Sequence, residues 1–100
     1  MSSLATEPQV SRATSVRVTE TALEVTLDDG RFLTVPVSWY PRLQQGTPTE
    51  RDRWEFIGGG EGIHWPDLDE DISVAALLAG RRSGESQPSL LKWLKQRNSP

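Results

Sequence analysis

Four carboxylates lie within five consecutive positions of this chain, and they are the residues best placed for chemistry. They follow a Trp-Pro pair and are Asp67, Asp69, Glu70 and Asp71. Oxygen ligands at alternating positions are typical of a calcium loop. An EF-hand, however, requires Gly where Ile72 stands and Glu where Leu78 stands. We therefore expect Asp69, Glu70 and Asp71 to complement the start of a helix, with no cofactor. A weak Mg²⁺ or Ca²⁺ site is the alternative.

His64 is the only histidine, so a zinc site would have to combine it with carboxylates alone. As a general base, it would need an orienting acid such as Asp67, Asp69 or Glu61, and also a nucleophile. No Gly-x-Ser-x-Gly elbow occurs. We expect a strand histidine beside Trp65 and a protein that is not an enzyme. The alternative is a ligand-binding or divalent-metal-binding protein that uses His64 with nearby carboxylates.

Aromatic residues offer a second kind of candidate site, for interaction instead of catalysis. Four tryptophans are many for 100 residues, and most should fill the core of a small domain. One that is exposed beside Tyr40 or Arg42 would suit an interface, because Trp, Tyr and Arg are enriched at binding hot spots. The candidate interaction residues are therefore Trp65, Asp67, Asp69, Glu70, Asp71, Tyr40 and Arg42.

Length and composition indicate one intracellular domain. A chain of 100 residues is long enough for one hydrophobic core. The absence of cysteine excludes disulfides and thiolate sites, which suits a reducing cytoplasm. No apolar run is long enough to cross a bilayer, so we expect no membrane contact. Residues 1–13 lack apolar periodicity and are expected to form a loose arm, with the domain over residues 14–100.

Charge is distributed unevenly along the chain, whose net charge is −3. Residues 1–80 hold six basic and thirteen acidic side chains, whereas residues 81–100 hold five basic side chains and one acidic. The basic residues are Arg81, Arg82, Lys92, Lys95 and Arg97. They could contact nucleic acid, but the exposed face and last turn of a helix explain them better. Nucleic-acid binding is therefore a secondary alternative.

Alternating apolar residues predict a three-stranded antiparallel meander from Val16 to Val37. A loop of three residues, Asp28-Asp29-Gly30, places Val25 opposite Leu33. A two-residue turn would place Val25 opposite Thr34 and mix the two faces of the sheet. A turn centred on Glu20-Thr21 pairs Val18 with Leu23, so that the three strands share one buried face.

The rest of the chain predicts short helices and a second hairpin. Trp54 to Ile57 and Gly62 to Trp65 are β-prone and flank a glycine-rich tip. Helix starts are predicted at Pro48, with Thr47 as the cap and Glu50 at the third helical position, and after Ser73. A last helix should run from about Pro88 to Arg97, with one apolar face formed by Leu90, Leu91, Trp93 and Leu94. The predicted fold is α+β: an antiparallel β meander plus a second β-hairpin, with small helices packed on one face.

Several motifs occur in a characteristic order after the Asp-Gly hairpin. They are Tyr40-Pro41-Arg42-Leu43, Gly62-Ile63-His64-Trp65-Pro66, Asp69-Glu70-Asp71-Ile72-Ser73-Val74 and Leu77-Leu78-Ala79-Gly80. Together they resemble the bacterial family catalogued as domain of unknown function 2442. The resemblance covers roughly Thr14 to Gly80 and continues into the last helix. It implies a small α+β fold and supplies no catalytic residue.

The resemblance also implies two kinds of association. Some relatives resemble this domain joined to a helix-turn-helix DNA-binding segment, and others resemble one partner of a toxin and antitoxin pair. Because the terminus follows Arg97 closely, we expect no helix-turn-helix module here. We expect a non-catalytic protein-interaction module, antitoxin-like or regulatory, whose acidic surface around Trp65 to Asp71 meets a basic protein. Self-association through an edge strand near Thr14 is also open.

Overall fold

The structure is a computed structural model that describes residues 11–98. It has two three-stranded antiparallel sheets and several short helices, so the predicted α+β class is confirmed. The predicted N-terminal arm lies mostly outside the described residues. Its last predicted residue, Ala13, is buried and begins the first strand.

The elements follow one another closely along the chain. The strands are β1 Ala13–Val18, β2 Ala22–Leu27, β3 Phe32–Pro36, β4 Glu55–Ile57, β5 Gly62–Trp65 and β6 Glu70–Ser73. The α-helices are α1 Pro41–Gln44, α2 Pro48–Asp52, α3 Val74–Leu78 and α4 Gln87–Arg97. Short 3-10 turns cover Val37–Trp39 and Gly58–Gly60.

The first sheet has the order β1-β2-β3 and the predicted register. Val18 pairs with Leu23, and Val25 pairs with Leu33. The Leu27 amide donates to the Arg31 carbonyl at 2.8 Å and closes the predicted three-residue loop. Gly30 in that loop has φ +92°, which only glycine adopts without strain. The turn chemistry therefore sets the register that buries one face of the sheet.

The second sheet has the order β4-β5-β6 and extends the predicted hairpin by one strand. Glu70 pairs with Trp65 and Asp71 with His64, so these carboxylates lie on β6. The prediction that they start a helix was wrong. A turn at residues 66–69, in which Asp69 has φ 51°, brings the chain back against β5. Ile72 then enters the core by strand alternation, and the helix begins only after Ser73.

The predicted helix caps are present. Thr47 and Glu50 form a reciprocal capping box at α2, and the Ser73 hydroxyl accepts the Ala76 amide at α3. Gly80 ends α3 with φ +71°, and the next amide, that of Arg81, donates back to the Ala76 carbonyl at 2.9 Å. These local bonds satisfy backbone groups that short helices otherwise leave unpaired.

One core joins the two sheets. Leu23, Val25 and Leu27 from the first sheet pack in the same cluster as Ile63 and Trp65 from the second. Most tryptophans belong to it, as predicted: Trp65 and Trp93 are buried, and Trp39 and Trp54 are partly buried against it. Leu91 is 61% exposed, so the predicted four-residue apolar face of the last helix was wrong at that position.

Helix α4 is fastened to the domain by an arrangement that we call the α4 clamp: Trp93, Arg42 with Glu85, and Arg97 with Glu50. Arg42 donates to both Glu85 carboxylate oxygens at 2.6 and 2.7 Å. Arg97 donates to both Glu50 oxygens at 2.9 and 3.1 Å. Both guanidinium carbons lie within 5.1 Å of the Trp93 ring centroid. Each arginine therefore combines a bidentate ion pair with a cation–π contact.

Candidate interaction groove

Strand β6 borders a groove at the open edge of the second sheet. Its cavity has a volume of about 420 Å³ and lies between β6 and the segment of residues 81–84. Tyr40 and Ala76 also line it. An adjoining hollow of about 490 Å³ shares Ile57, Gly62 and Ser73 with it and reaches Leu78. We call the two hollows together the β6 groove.

The wall opposite β6 is held by backbone bonds. The Arg81 amide donates to the Ala76 carbonyl, and the Ser83 amide donates to the Trp39 carbonyl at 3.0 Å. The Tyr40 hydroxyl donates to the Arg81 carbonyl at 2.9 Å. A segment without helix or strand is thus tied to two separate parts of the fold, α3 and the corner at Trp39 and Tyr40. These internal bonds hold the wall of the groove in place.

The free edge of β6 presents backbone groups to this groove. The Asp71 amide donates to the Glu70 carboxylate oxygen Oε1 at 3.1 Å and not to β5. In an antiparallel strand the amide and carbonyl of one residue point the same way, and alternate residues share that direction. The Val74 amide donates to the Glu61 carbonyl beside β5 at 2.9 Å, so the Asp71 amide and carbonyl and the Ser73 amide point away from β5. The Ser73 carbonyl belongs to the N-cap of α3. Such an edge is a template for another strand unless something covers it.

The Glu70 side chain covers this edge, and its burial there disfavours the charged form of the carboxyl. Its second carboxylate oxygen, Oε2, is buried and has no hydrogen-bond partner among residues 11–98. Burial raises the pKa of Glu70 to about 7, although the Asp71 amide and the Arg42 charge act in the opposite direction. Burial, followed by the Glu70 charge, also raises the pKa of Tyr40. Glu70 is therefore a poorly solvated carboxyl at the strand edge.

The aromatic residues predicted for an interaction surface lie in the core instead. Trp65 is fully buried, and its indole N–H donates to the Arg51 carbonyl at 3.1 Å. Strand alternation directs Trp65 inward together with Ile63, so it cannot present its ring to a partner. Tyr40 is 5% exposed and only lines the groove. The predicted role of Trp65 at an exposed surface therefore disagrees with its position.

The predicted acidic residues do not form one surface. Asp67 accepts two bonds from Arg53, and Asp69 lies 3.4 Å from Arg42. Arg42 itself belongs to the α4 clamp, where its side chain is 17% exposed. Alternation directs Glu70 and Asp71 to opposite faces of β6. Two of these four carboxylates, Asp67 and Asp69, are therefore already paired with an arginine of the same chain.

His64 pairs with Asp71 on the outer face of the second sheet. The imidazole Nδ1 hydrogen-bonds the Asp71 carboxylate, which raises the pKa of His64. Glu55 is the cross-strand neighbour of His64 on β4. Within residues 11–98, no three His, Cys, Asp or Glu side chains come close enough to hold a metal ion. The geometry therefore brings His64 to one carboxylate but assembles no ligand set around it.

The basic residues predicted as a nucleic-acid surface are divided between two regions. Arg97 belongs to the α4 clamp, and Lys92 and Lys95 lie on α4. Arg81 and Arg82 line the β6 groove. They are separated from α4 along the chain by the residues that lead to Ser86, its N-cap. Sequence reasoning placed all five on one basic segment and missed the groove.

A family model described as "Protein of unknown function (DUF2442)" matches residues 13–83, which span both sheets and most of the lining of the β6 groove. The chain belongs to this family. Helix α4 lies outside the match, so most of the α4 clamp is contributed from beyond the DUF2442 region. No curated protein matches the chain.

Two solved structures resemble this DUF2442 protein. A crystal structure of a protein of unknown function from Rhodospirillum rubrum is 26% identical, with a TM-score of 0.68. The match covers 79% of this chain and 98% of that one. A solution NMR structure of an uncharacterized protein from Chromobacterium violaceum is also 26% identical, with a TM-score of 0.62, and the match covers 87% of this chain and 76% of that one.

Over residues 11–98, no helix combines the length and the apolar character that a bilayer crossing requires.

Proposed function

We propose that this DUF2442 protein is a non-catalytic protein-interaction module that binds an extended polypeptide segment in the β6 groove. The observation that carries the proposal is the edge of β6, which borders the β6 groove and whose Asp71 amide is occupied by the Glu70 side chain. An added strand would satisfy the amide and carbonyl of Asp71 and the amide of Ser73, whose carbonyl belongs to the N-cap of α3. Binding by strand addition relies on main-chain hydrogen bonds, and neighbouring pockets select side chains.

Glu70 would have to leave the edge when a strand binds. Its carboxylate occupies the Asp71 amide that the incoming carbonyl needs. Release is favoured because the carboxyl is buried with one oxygen unpartnered, and a return to water removes that cost. We therefore expect Glu70→Ala to strengthen peptide binding about threefold to tenfold, which corresponds to one internal hydrogen bond. Glu55→Ala, an exposed change on β4, is the control.

The groove explains an interaction role better than the predicted acidic surface does. That surface was expected to attract a basic protein, but Asp67 and Asp69 already lie beside arginines of the same chain, and Asp71 bonds His64. An antitoxin-like or regulatory role would use the groove to hold a segment of the second protein. A cytoplasmic location fits the absence of cysteine. Self-association through β1, an edge strand of the first sheet, remains a separate prediction.

Selection from a displayed library of random peptides tests the proposal directly. Enriched peptides should shift the NMR amide signals of β6 and of residues 81–84. Asp71→Pro removes the free-edge N–H and should abolish binding, whereas Asp71→Ala keeps that N–H and should retain it. Both variants lose the His64 pair, so that loss cancels in the comparison. Equal binding by the two variants, or peptides that bind only the β1 edge, would refute strand addition at β6.

A further inference from the structure

We infer that the β6 groove recognises a carboxylate of the bound segment through Arg81 and Arg82. This inference rests on the proposed function, because it names the chemistry of the polypeptide that the groove would hold. The carboxylate is that of an acidic side chain of the segment, which the Arg81 and Arg82 guanidinium groups would receive. Recognition of a C-terminal carboxylate instead is an outcome of the test that would overturn this assignment.

The first observation is that, in the described part of the chain, Arg81 and Arg82 differ from the other arginines in their lack of a charged partner. Within residues 11–98, Arg81 and Arg82 form no ion pair, whereas every other arginine side chain lies within ion-pair distance of a carboxylate or donates to a backbone carbonyl. The carboxylate pairs are Arg12 with Glu61, Arg17 with Glu24, Arg31 with Asp29, Arg42 with Glu85, Arg53 with Asp67 and Arg97 with Glu50. Arg51 donates to the Leu43 and Gln44 carbonyls. Acidic residues outnumber basic ones in this chain, so unpaired arginines are the exception.

The second observation is that these two arginines line one cavity. Both border the β6 groove, opposite the free strand edge. The Arg82 guanidinium carbon lies 4.9 Å from the Trp39 ring centroid, which restrains its position. The backbone of Arg81 is held by Ala76 and by the Tyr40 hydroxyl. The cations are therefore attached to a fixed wall, which reduces the ordering cost of binding an anion.

The carboxylates of the groove do not cancel this positive charge. Asp71 is directed to the outer face and bonds His64. Glu70 bonds the Asp71 amide, and its raised pKa leaves it partly protonated near neutral pH. Neither forms an ion pair with Arg81 or Arg82. A guanidinium binds a carboxylate through paired N–H bonds, so an acidic group of the ligand is the natural partner for this wall.

The negative charge on the rest of the molecule confines the binding of an acidic peptide to the groove. Residues 1–80 carry thirteen acidic and six basic side chains, and the acidic excess repels an anionic peptide from most of the surface. A peptide that adds to β6 directs alternate side chains toward the same side. One acidic residue at the correct register would therefore meet Arg81 or Arg82 while the backbone pairs with the strand.

The test uses the full chain and the peptide most enriched from the random library. Arg81→Gln/Arg82→Gln is compared with Arg17→Gln/Arg53→Gln, which removes the same charge from arginines that do not line the groove. Peptides are made with acidic side chains replaced by their amides, with an amidated C-terminus, or with both. We expect the groove variant to weaken binding of the acidic peptide about tenfold or more and the control to leave it within about twofold.

The peptide forms identify the source of the carboxylate. Neutralising the recognised carboxylate should weaken binding to the wild type as much as the groove variant does. Combining that peptide with the groove variant should weaken binding no further. If the selected peptides contain no acidic preference, and the variant binds every form as the wild type does, the inference fails while strand addition stands. If no peptide binds β6, both proposals fail. The inference would also be overturned if Arg81→Gln/Arg82→Gln abolished the retention of single-stranded DNA but left peptide binding unchanged.

Discussion

The α4 clamp and the β6 groove both contain arginine and glutamate side chains. In the clamp these side chains are paired with one another, whereas in the groove, over the described residues, they are not. In the clamp, Arg42 and Arg97 each hold a glutamate through two bonds. In the groove, Arg81 and Arg82 have no carboxylate partner, and one Glu70 oxygen has no hydrogen-bond partner, within residues 11–98. Satisfied pairs contribute to stability, whereas unsatisfied groups at a cavity are available to a ligand. The comparison therefore separates groups that hold the fold from groups that are candidates for binding.

The largest expected effect comes from breaking the clamp. Arg42→Met should lower the free energy of unfolding by about 3 kcal/mol, because it leaves Glu85, whose side chain is 8% exposed, without its guanidinium partner. Urea unfolding followed by tryptophan fluorescence measures the loss. The double variant Arg42→Met/Glu85→Met should recover most of it, since an apolar pair replaces the buried ions. A loss below about 0.5 kcal/mol in the single variant would show that the clamp does not support the fold.

The next effect concerns the glutamate of the groove. Glu70 has a raised pKa of about 7 in the folded protein against about 4.5 when unfolded. The folded state therefore binds more protons between these values, and stability falls as pH rises from about 4.5 to 7. Glu70→Gln should remove this decline and raise the free energy of unfolding at pH 8 by about 1–2 kcal/mol, after allowance for partial solvent exposure. Denaturation midpoints across pH, with Glu55→Gln as the control, test this. An unchanged slope would contradict the burial of the carboxyl.

Glu50, one of the two glutamates of the clamp, should give stability the opposite dependence on pH. Its bidentate pair with Arg97 lowers the pKa of Glu50 to about 2. The unfolded state therefore binds more protons below about pH 4.5, and stability is lost as pH falls from there toward 2. Glu50→Gln should reduce that loss by about 1 kcal/mol, because the pair is partly exposed to solvent. Acid titrations of both proteins followed by circular dichroism give the comparison, and Asp52→Asn on the same helix serves as the control.

The smallest effect on stability should come from the arginines of the groove. Arg81→Gln/Arg82→Gln should lower the free energy of unfolding by less than about 1 kcal/mol, because neither side chain forms an ion pair within residues 11–98 and the loss is limited to the cation–π contact of Arg82 with Trp39. Arg97→Gln, which removes a paired arginine from the clamp, should cost more. Parallel urea curves for the two variants decide this point. If the groove variant were the more destabilised, the two arginines would be structural and the contrast between the regions would be lost.

The fold was predicted best where its signals are local. The register of the first sheet followed from alternation and from a three-residue loop that ends in Gly30, and the structure has that register. The capping box of Thr47 and Glu50 was predicted from four adjacent residues. By contrast, the acidic run was assigned to a helix start. Carboxylates suit a helix N-terminus in isolation, but pairing with β5 made the segment a strand.

The sequence by itself determined the α+β class, the first sheet, the positions of the caps and the family, because alternation, turn residues and capping residues act over a few neighbouring positions. The tertiary structure alone decided that Trp65 is buried, that Arg42 holds Glu85 and that Arg81 and Arg82 line the same cavity as β6. These outcomes depend on which distant segments approach one another. A charge pattern specifies which partners are chemically suitable, but only the packed chain determines which charges are compensated and which remain for a ligand.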